Sequence, residues 1–178
     1  MQLTSSSLPP DAPSQRHDAR RQLTVDIAEA ILLERAPWKT LVQSIAKHFQ
    51  SVDWKWNGLY RLDAPDRLEL YTAAGPPVCQ TLLSDGQLGT SGMCFDALHR
   101  RQTISTNDAH SWPGYVSCDG ESGLNTSGAI VVPISLSDGR YWGVWDLDSE
   151  QPLVPSDGVF MERLIACLST LAPLPQPI

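Results

Sequence analysis

An α+β fold, an antiparallel sheet flanked by N- and C-terminal helices, follows from three observations. Apolar residues recur at helical spacing near the N-terminus, β-rich runs separated by turn residues fill the middle, and a proline-opened apolar helix closes the chain. With 178 residues and 42% hydrophobic side chains, the chain has enough material for one domain with a full core.

Residues 1–18 contain Ser5, Ser6, Ser7, Pro9, Pro10 and Pro13 without apolar periodicity, so a mobile tail is expected there and the folded domain is placed at 19–172. Leu23, Ile27, Ala30 and Ile31 form the stripe of a first helix. Pro37 restarts a second, striped by Leu41, Val42, Ile45, Ala46 and Phe49. After Asp53 the period changes: residues 56–62 and 67–72 are β-rich and flank Asp63-Ala64-Pro65-Asp66, which reads as a hairpin. Residues 78–83 make a third strand or an irregular edge.

Gly86, Gly89 and Gly92 then open a short helix containing Met93, Phe95, Ala97 and Leu98. This glycine loop lacks the Gly-Lys-Ser/Thr ending of a phosphate loop. Residues 130–134 and 141–147, joined through Ser137-Asp138-Gly139, form the clearest hairpin. Pro155-Ser156-Asp157 opens the last helix, with Phe160, Leu164, Cys167, Leu168 and Leu171 expected on one buried face. Pro173, Pro175 and Pro177 end it, leaving 173–178 as a C-terminal tail.

Composition excludes several classes. A net charge of −7, with Arg20-Arg21 and Arg100-Arg101 the only basic clusters, argues against nucleic-acid binding through phosphates. No apolar run approaches the roughly 20 residues of a membrane span, and the N-terminus lacks a signal-peptide pattern, so a cytoplasmic protein is expected. Four cysteines are too sparse for a disulfide scaffold, and neither a Cys-x-x-Cys nor a His pair at ligand spacing supports a metal site.

Two stretches carry candidate chemistry. Cys118, next to Asp119 and just after Trp112-Pro113-Gly114, reads either as a redox nucleophile or as a small buried hydrophobe. The strand Tyr141-Trp142-Gly143-Val144-Trp145-Asp146-Leu147-Asp148 places Asp146 and Asp148 on one face, with Trp142 and Val144. That face is a solvated strand end, or it lines a pocket in which desolvation and mutual repulsion leave a proton available for general-acid work.

With these motifs in view, the chain from about Ala19 to Leu171 resembles the free methionine-(R)-sulfoxide reductases, which are built on a GAF domain. Lys55-Trp56-Asn57-Gly58-Leu59-Tyr60 is similar to the family's Asn-Trp-Val-Gly-Phe-Tyr strand. The segment from Asp108 to Asp119 is similar to its Asp-Val-His-x-Phe-Pro-Gly-His-Ile-Ala-Cys-Asp, and Gly143-Val144-Trp145-Asp146-Leu147-Asp148-Ser149 to its Gly-Val-Leu-Asp-Ile-Asp-Ser.

The resemblance implies a GAF-like sheet, Cys118 as catalytic thiol, Cys79 as recycling thiol, and Asp146 and Asp148 as site acids. It places Trp56 and Tyr60 around the methylthio end of the substrate, although both also fit an ordinary sheet core. It implies a small sulfoxide substrate, a thioredoxin-like dithiol reductant, a homodimer, and no bound organic cofactor or metal. The dimer contact is expected to bury Leu23, Ile27 and Ile31.

Departures from the family pattern fall in the site. Leu88 stands at the family's middle cysteine, Tyr115 at a histidine, and Ala129 at a glutamate that meets the substrate amine. Glu121, in an apparent insertion around 120–127, is the candidate to supply the missing carboxylate. Cys94, placed in the helix after the glycine loop, is not the equivalent of that middle cysteine, and whether it takes part in recycling stays open; Cys167 is read as core of the last helix. Two other readings stay open: a diverged enzyme acting on another small molecule, and a non-catalytic GAF ligand-binding module.

Overall fold

The computed structural model describes residues 12–87, 89, 91–115 and 123–174. The chain runs α1 (Ala12–Leu32), α2 (Pro37–His48), a single 3-10 turn, then β1 (Trp54–Ala64), β2 (Arg67–Ala74) and β3 (Thr81–Leu83). It continues α3 (Gly92–Arg100), β4 (Ile104–Thr106), β5 (Gly128–Ser135), β6 (Tyr141–Ser149) and α4 (Pro155–Leu171). The strands form one antiparallel sheet in the order β3-β2-β1-β6-β5-β4. Both expected hairpins are present, turning at 65–66 and around Ser137-Asp138-Gly139.

Two apolar cores sandwich the sheet. One lies under α1, α2 and α4 and includes Leu23, Leu41, Ile45, Trp54, Trp145, Leu147 and Met161. The other lies under α3 and the adjoining loops and includes Trp56, Tyr60, Leu68, Phe95, Val131 and Val144. α3 thus covers the face of the sheet opposite α1, α2 and α4.

Further expectations change for identifiable reasons. α1 begins at Ala12 rather than near residue 19. Arg16 and Arg20 each reach 2.7 Å from the fully buried Asp157 carboxylate, which also accepts the Val154 N–H at the start of α4. These charges hold the first turns of α1 where apolar periodicity is absent. Leu23 and Ile27 are buried within the protomer, so the stripe expected at a dimer contact is already used. Cys167 is exposed, not core; α4 buries Met161, Ile165 and Leu168 instead.

An irregularity in the β5–β6 register, between the pairs Ile134–Gly143 and Ser135–Tyr141, inserts Trp142 as an extra residue. Trp142 therefore joins the α1/α2/α4 core while Tyr141 packs toward α3, reversing the expected alternation below Gly143. Above the irregularity the alternation holds, and Asp146 and Asp148 stay on the α3 face. Among the described residues, no helix is long and apolar enough to cross a membrane.

Candidate active site

The central strands build the floor of a cavity. In register, Asp148 lies between Trp56 of β1 and Ala129 of β5, and Asp146 between Gly58 and Val131. Side chains two residues apart share a face, so the α3 side collects Asp146, Asp148, Ala129, Trp56 and Tyr60. Gly58 is required here: a Cβ would come 2.7 Å from the Trp56 ring, which lies across that position.

A cavity of about 350 Å³ opens above this floor. Its wall comprises Tyr60, Val78, Thr81, Leu82 and Leu83 on one side, Ser91, Gly92, Met93 and Cys94 at the start of α3, and Tyr115, Ala129, Asp146 and Asp148. No Lys, Arg or His is among these lining residues. Two carboxyl groups at one end and apolar walls at the other suit a small ligand with a cationic or hydrogen-bond-accepting end and a short apolar tail.

Burial sets the electrostatics. Desolvation pushes the Asp146 carboxyl up to about 6, against smaller opposing contributions from the Cys94 thiol and the Leu147 N–H, which both bond to it. Near neutral pH this is an acid with an accessible proton. Tyr60 is 2% exposed, and its phenol, raised by burial and then by Asp146, stays protonated. That hydroxyl donates to the Cys79 carbonyl at 2.7 Å, tying the segment before β3 to the cavity floor.

The rims are fixed by a buried carboxylate. Asp96 of α3 accepts the Gly89 N–H at 2.8 Å and the Trp112 indole N–H at 2.9 Å, with Arg100 at 3.6 Å. One residue thus holds both the glycine loop before α3 and the loop carrying Trp112. Tyr115, three residues further on, meets His110 edge-on at 5.0 Å.

Of the candidates read from sequence, Tyr60, Tyr115, Ala129, Asp146 and Asp148 line this cavity. Trp56 is buried, with its ring centre 6.1 Å from that of Tyr60, and does not line it. Cys79 is half of a disulfide, whereas Cys94 and Cys167 are free thiols. Cys118 and Glu121 lie outside the described residues. Sequence reasoning missed Cys94, whose thiol lines the cavity and donates to Asp146 Oδ2 at 3.5 Å, and Asp96. The available signal was position: Cys94 follows the glycine loop by two residues, in the first turn of α3. Among the described residues, no group of three or more His, Cys, Asp or Glu is arranged to hold a metal ion.

No protein-family profile matches the chain. It is 36% identical over 100 residues to the free methionine-R-sulfoxide reductase of Saccharomyces cerevisiae, covering 55% of this chain and 51% of the yeast protein. The chain thus spans about half the length of the curated relative it matches. A solved GAF-domain structure superposes with a TM-score of 0.74 at 24% identity, covering 97% of this chain and 94% of its own. The free methionine-R-sulfoxide reductase from Neisseria meningitidis, solved with its substrate, superposes with a TM-score of 0.68 at 25% identity, covering 96% and 95%. The chain has the GAF fold, with the expected antiparallel sheet and flanking helices.

Proposed function

We propose that this chain is an oxidoreductase that reduces free L-methionine-(R)-sulfoxide, or a close small sulfoxide, with its own thiols. The observation that carries the reading is the convergence on one cavity of a raised-pKa carboxyl, Asp146, with the Tyr60 hydroxyl that holds the disulfide-bonded Cys79 segment. The likeness to the yeast and Neisseria reductases supports the choice of substrate.

In this reading the Cys118 thiolate attacks the sulfoxide sulfur while a proton from the acid site passes to the sulfoxide oxygen. The sulfur–oxygen bond breaks, the oxygen moves to Cys118 as a sulfenic acid, and the thioether leaves, reduced by two electrons. The Cys79 thiol then condenses with the sulfenic acid, releasing water and forming a Cys79–Cys118 disulfide. A thioredoxin-like dithiol restores both thiols by exchange, which fits a reducing, cytoplasmic setting. Cys79 being disulfide-bonded, with Cys94 and Cys167 free, supports Cys79 as the redox-active recycling thiol.

Asp146 supplies the proton, Asp148 shares its end of the cavity, and Glu121 is assigned to the ammonium that Ala129 cannot meet. Trp56 supports the floor from below while Tyr60, Tyr115 and the apolar wall receive the methylthio end. A homodimer belongs to the same proposal. The exposed Val25, Leu32 and Leu33 are available for its contact, unlike the buried stripe.

The test is a panel of sulfoxides incubated with the protein and a dithiol reductant, scored by product mass. Turnover of the free R-sulfoxide that is abolished in a folded Cys118→Ser protein supports the reading. No turnover of any sulfoxide, or full activity without Cys118, removes it.

A further inference from the structure

The thiol of Cys94 takes no part in the steps above, yet it is buried at the cavity wall with Sγ 3.5 Å from Asp146 Oδ2. Burial and then the Asp146 charge push this thiol well above its ordinary value, so it is a hydrogen-bond donor and a poor nucleophile. That argues against a recycling role and leaves the proton of the S–H group, aimed at a carboxyl.

We propose that Cys94 is a positioning residue of the acid site: by donating its proton to Asp146 Oδ2 it anchors the carboxyl from the α3 side and assigns the transferable proton to Oδ1. An oxygen that accepts a donor behaves as the carbonyl-like oxygen of a carboxylic acid, so the O–H sits on its neighbour. The anchor comes from a different element than the acid. α3 and β6 meet through this contact, and α3 is itself pinned to both rims through Asp96. The setting of the acid is thereby linked to the loops that bound the cavity.

Removing the donor has a definite sign. The S–H bond favours the ionised carboxylate, so its loss leaves Asp146 protonated to higher pH. Among the described residues, the other titratable groups lining this cavity are Tyr60 from β1, whose phenol is raised in part by Asp146, Asp148 on β6 itself and Tyr115 from the loop after Trp112. Ala129 and Val131 of β5 and Ser91 before α3 contribute none in the accessible range.

The inference rests on the proposed reductase reading for its kinetic consequence, and its first test does not use activity. The Asp146 carboxyl is titrated by infrared spectroscopy, its C=O band identified by subtracting Asp146→Asn. In Cys94→Ala the midpoint moves up by roughly half a unit to one unit, and Cys94→Ser, which keeps a donor, moves back toward the natural protein. The S–H band isolated by subtracting Cys94→Ala shifts when Asp146 is replaced by alanine. A midpoint unchanged in Cys94→Ala, or an S–H band indifferent to Asp146, overturns the proposal. The alkaline limb of kcat/KM for the R-sulfoxide then moves up with the midpoint in Cys94→Ala, and an unmoved limb overturns the positioning role. Absence of sulfoxide turnover in the natural protein refutes the reductase reading and leaves the infrared titration to decide the contact.

Discussion

Asp146→Asn stabilises this protein above about pH 6 and disables it at the same time. The carboxyl is raised from 3.8 to about 6 because the fold places it in a desolvated cavity. The sign follows from linkage: between those values the folded protein holds a proton that the unfolded chain has released, so this group makes stability fall as pH rises. Below about pH 3.8 the cost is absent; above about pH 6 it is complete. A shift of that size corresponds to roughly 3 kcal/mol, and the cavity's opening to solvent brings the expected gain on neutralisation to roughly 1–3 kcal/mol.

For a chain of this length each kcal/mol moves Tm by about 2–4 °C. The assay is thermal denaturation of both proteins in one redox state at pH 4 and pH 8. Asp146→Asn melts higher than the natural protein at pH 8 and close to it at pH 4. Its rate with the R-sulfoxide falls by roughly a hundredfold or more, the usual contribution of a positioned general acid. Equal melting differences at the two pH values, or a lower Tm at pH 8, refute the claim that Asp146 is a carboxyl held against its charge.

Three further outcomes are expected. Ala129 is buried beside Asp148 at the position where the resemblance implies a glutamate, so this chain is expected to separate free L-methionine-(R)-sulfoxide from its des-amino analogue less sharply than a reductase carrying that glutamate, by roughly ten- to a hundredfold in kcat/KM. Ala129→Glu sharpens the preference, and strong discrimination by the natural sequence assigns that role to another group. Gly143→Ala unfolds or strongly destabilises the protein, because a Cβ there would overlap the Tyr60 carbonyl oxygen on β1, and a wild-type denaturation midpoint counts against the β1–β6 register. Asp96→Asn replaces one acceptor oxygen by an NH2 group that cannot accept both the Gly89 and Trp112 N–H groups; KM for the sulfoxide rises several-fold with a smaller change in kcat, whereas an unaltered KM shows that the rims do not need this carboxylate.

The parts of the fold legible in the sequence are those governed by local rules. Asp63-Ala64-Pro65-Asp66 and Ser137-Asp138-Gly139 announce their turns, Pro37 and Pro155 open helices, and alternation from Val144 to Asp148 puts two acids on one face. What was not legible depends on distant partners. The first turns of α1 are held by a carboxylate on α4, which no periodicity within residues 12–18 records. Trp142 changes faces because β5 and β6 slip by one residue, a property of the pair and not of either strand. Cys167 looked apolar on α4, but the sheet-facing stripe of that helix runs through Met161, Ile165 and Leu168.

In the site, Asp146, Asp148, Tyr60, Tyr115 and Ala129 line one cavity, while Trp56 is buried against Tyr60 and does not line it. Cys94 was invisible because a cysteine within a helical run reads as core. Its chemistry exists only once α3 crosses above β6 and sets the thiol against a carboxyl.

The central claim is tested most directly by one turnover without reductant. Fully reduced protein is mixed anaerobically with excess free L-methionine-(R)-sulfoxide, the methionine formed is counted per protomer, and the cysteines are mapped by peptide mass. About one equivalent of methionine is expected from the R epimer, none from the S epimer, together with a new Cys79–Cys118 disulfide. No methionine, equal reduction of both epimers, or a disulfide through Cys94 contradicts that claim.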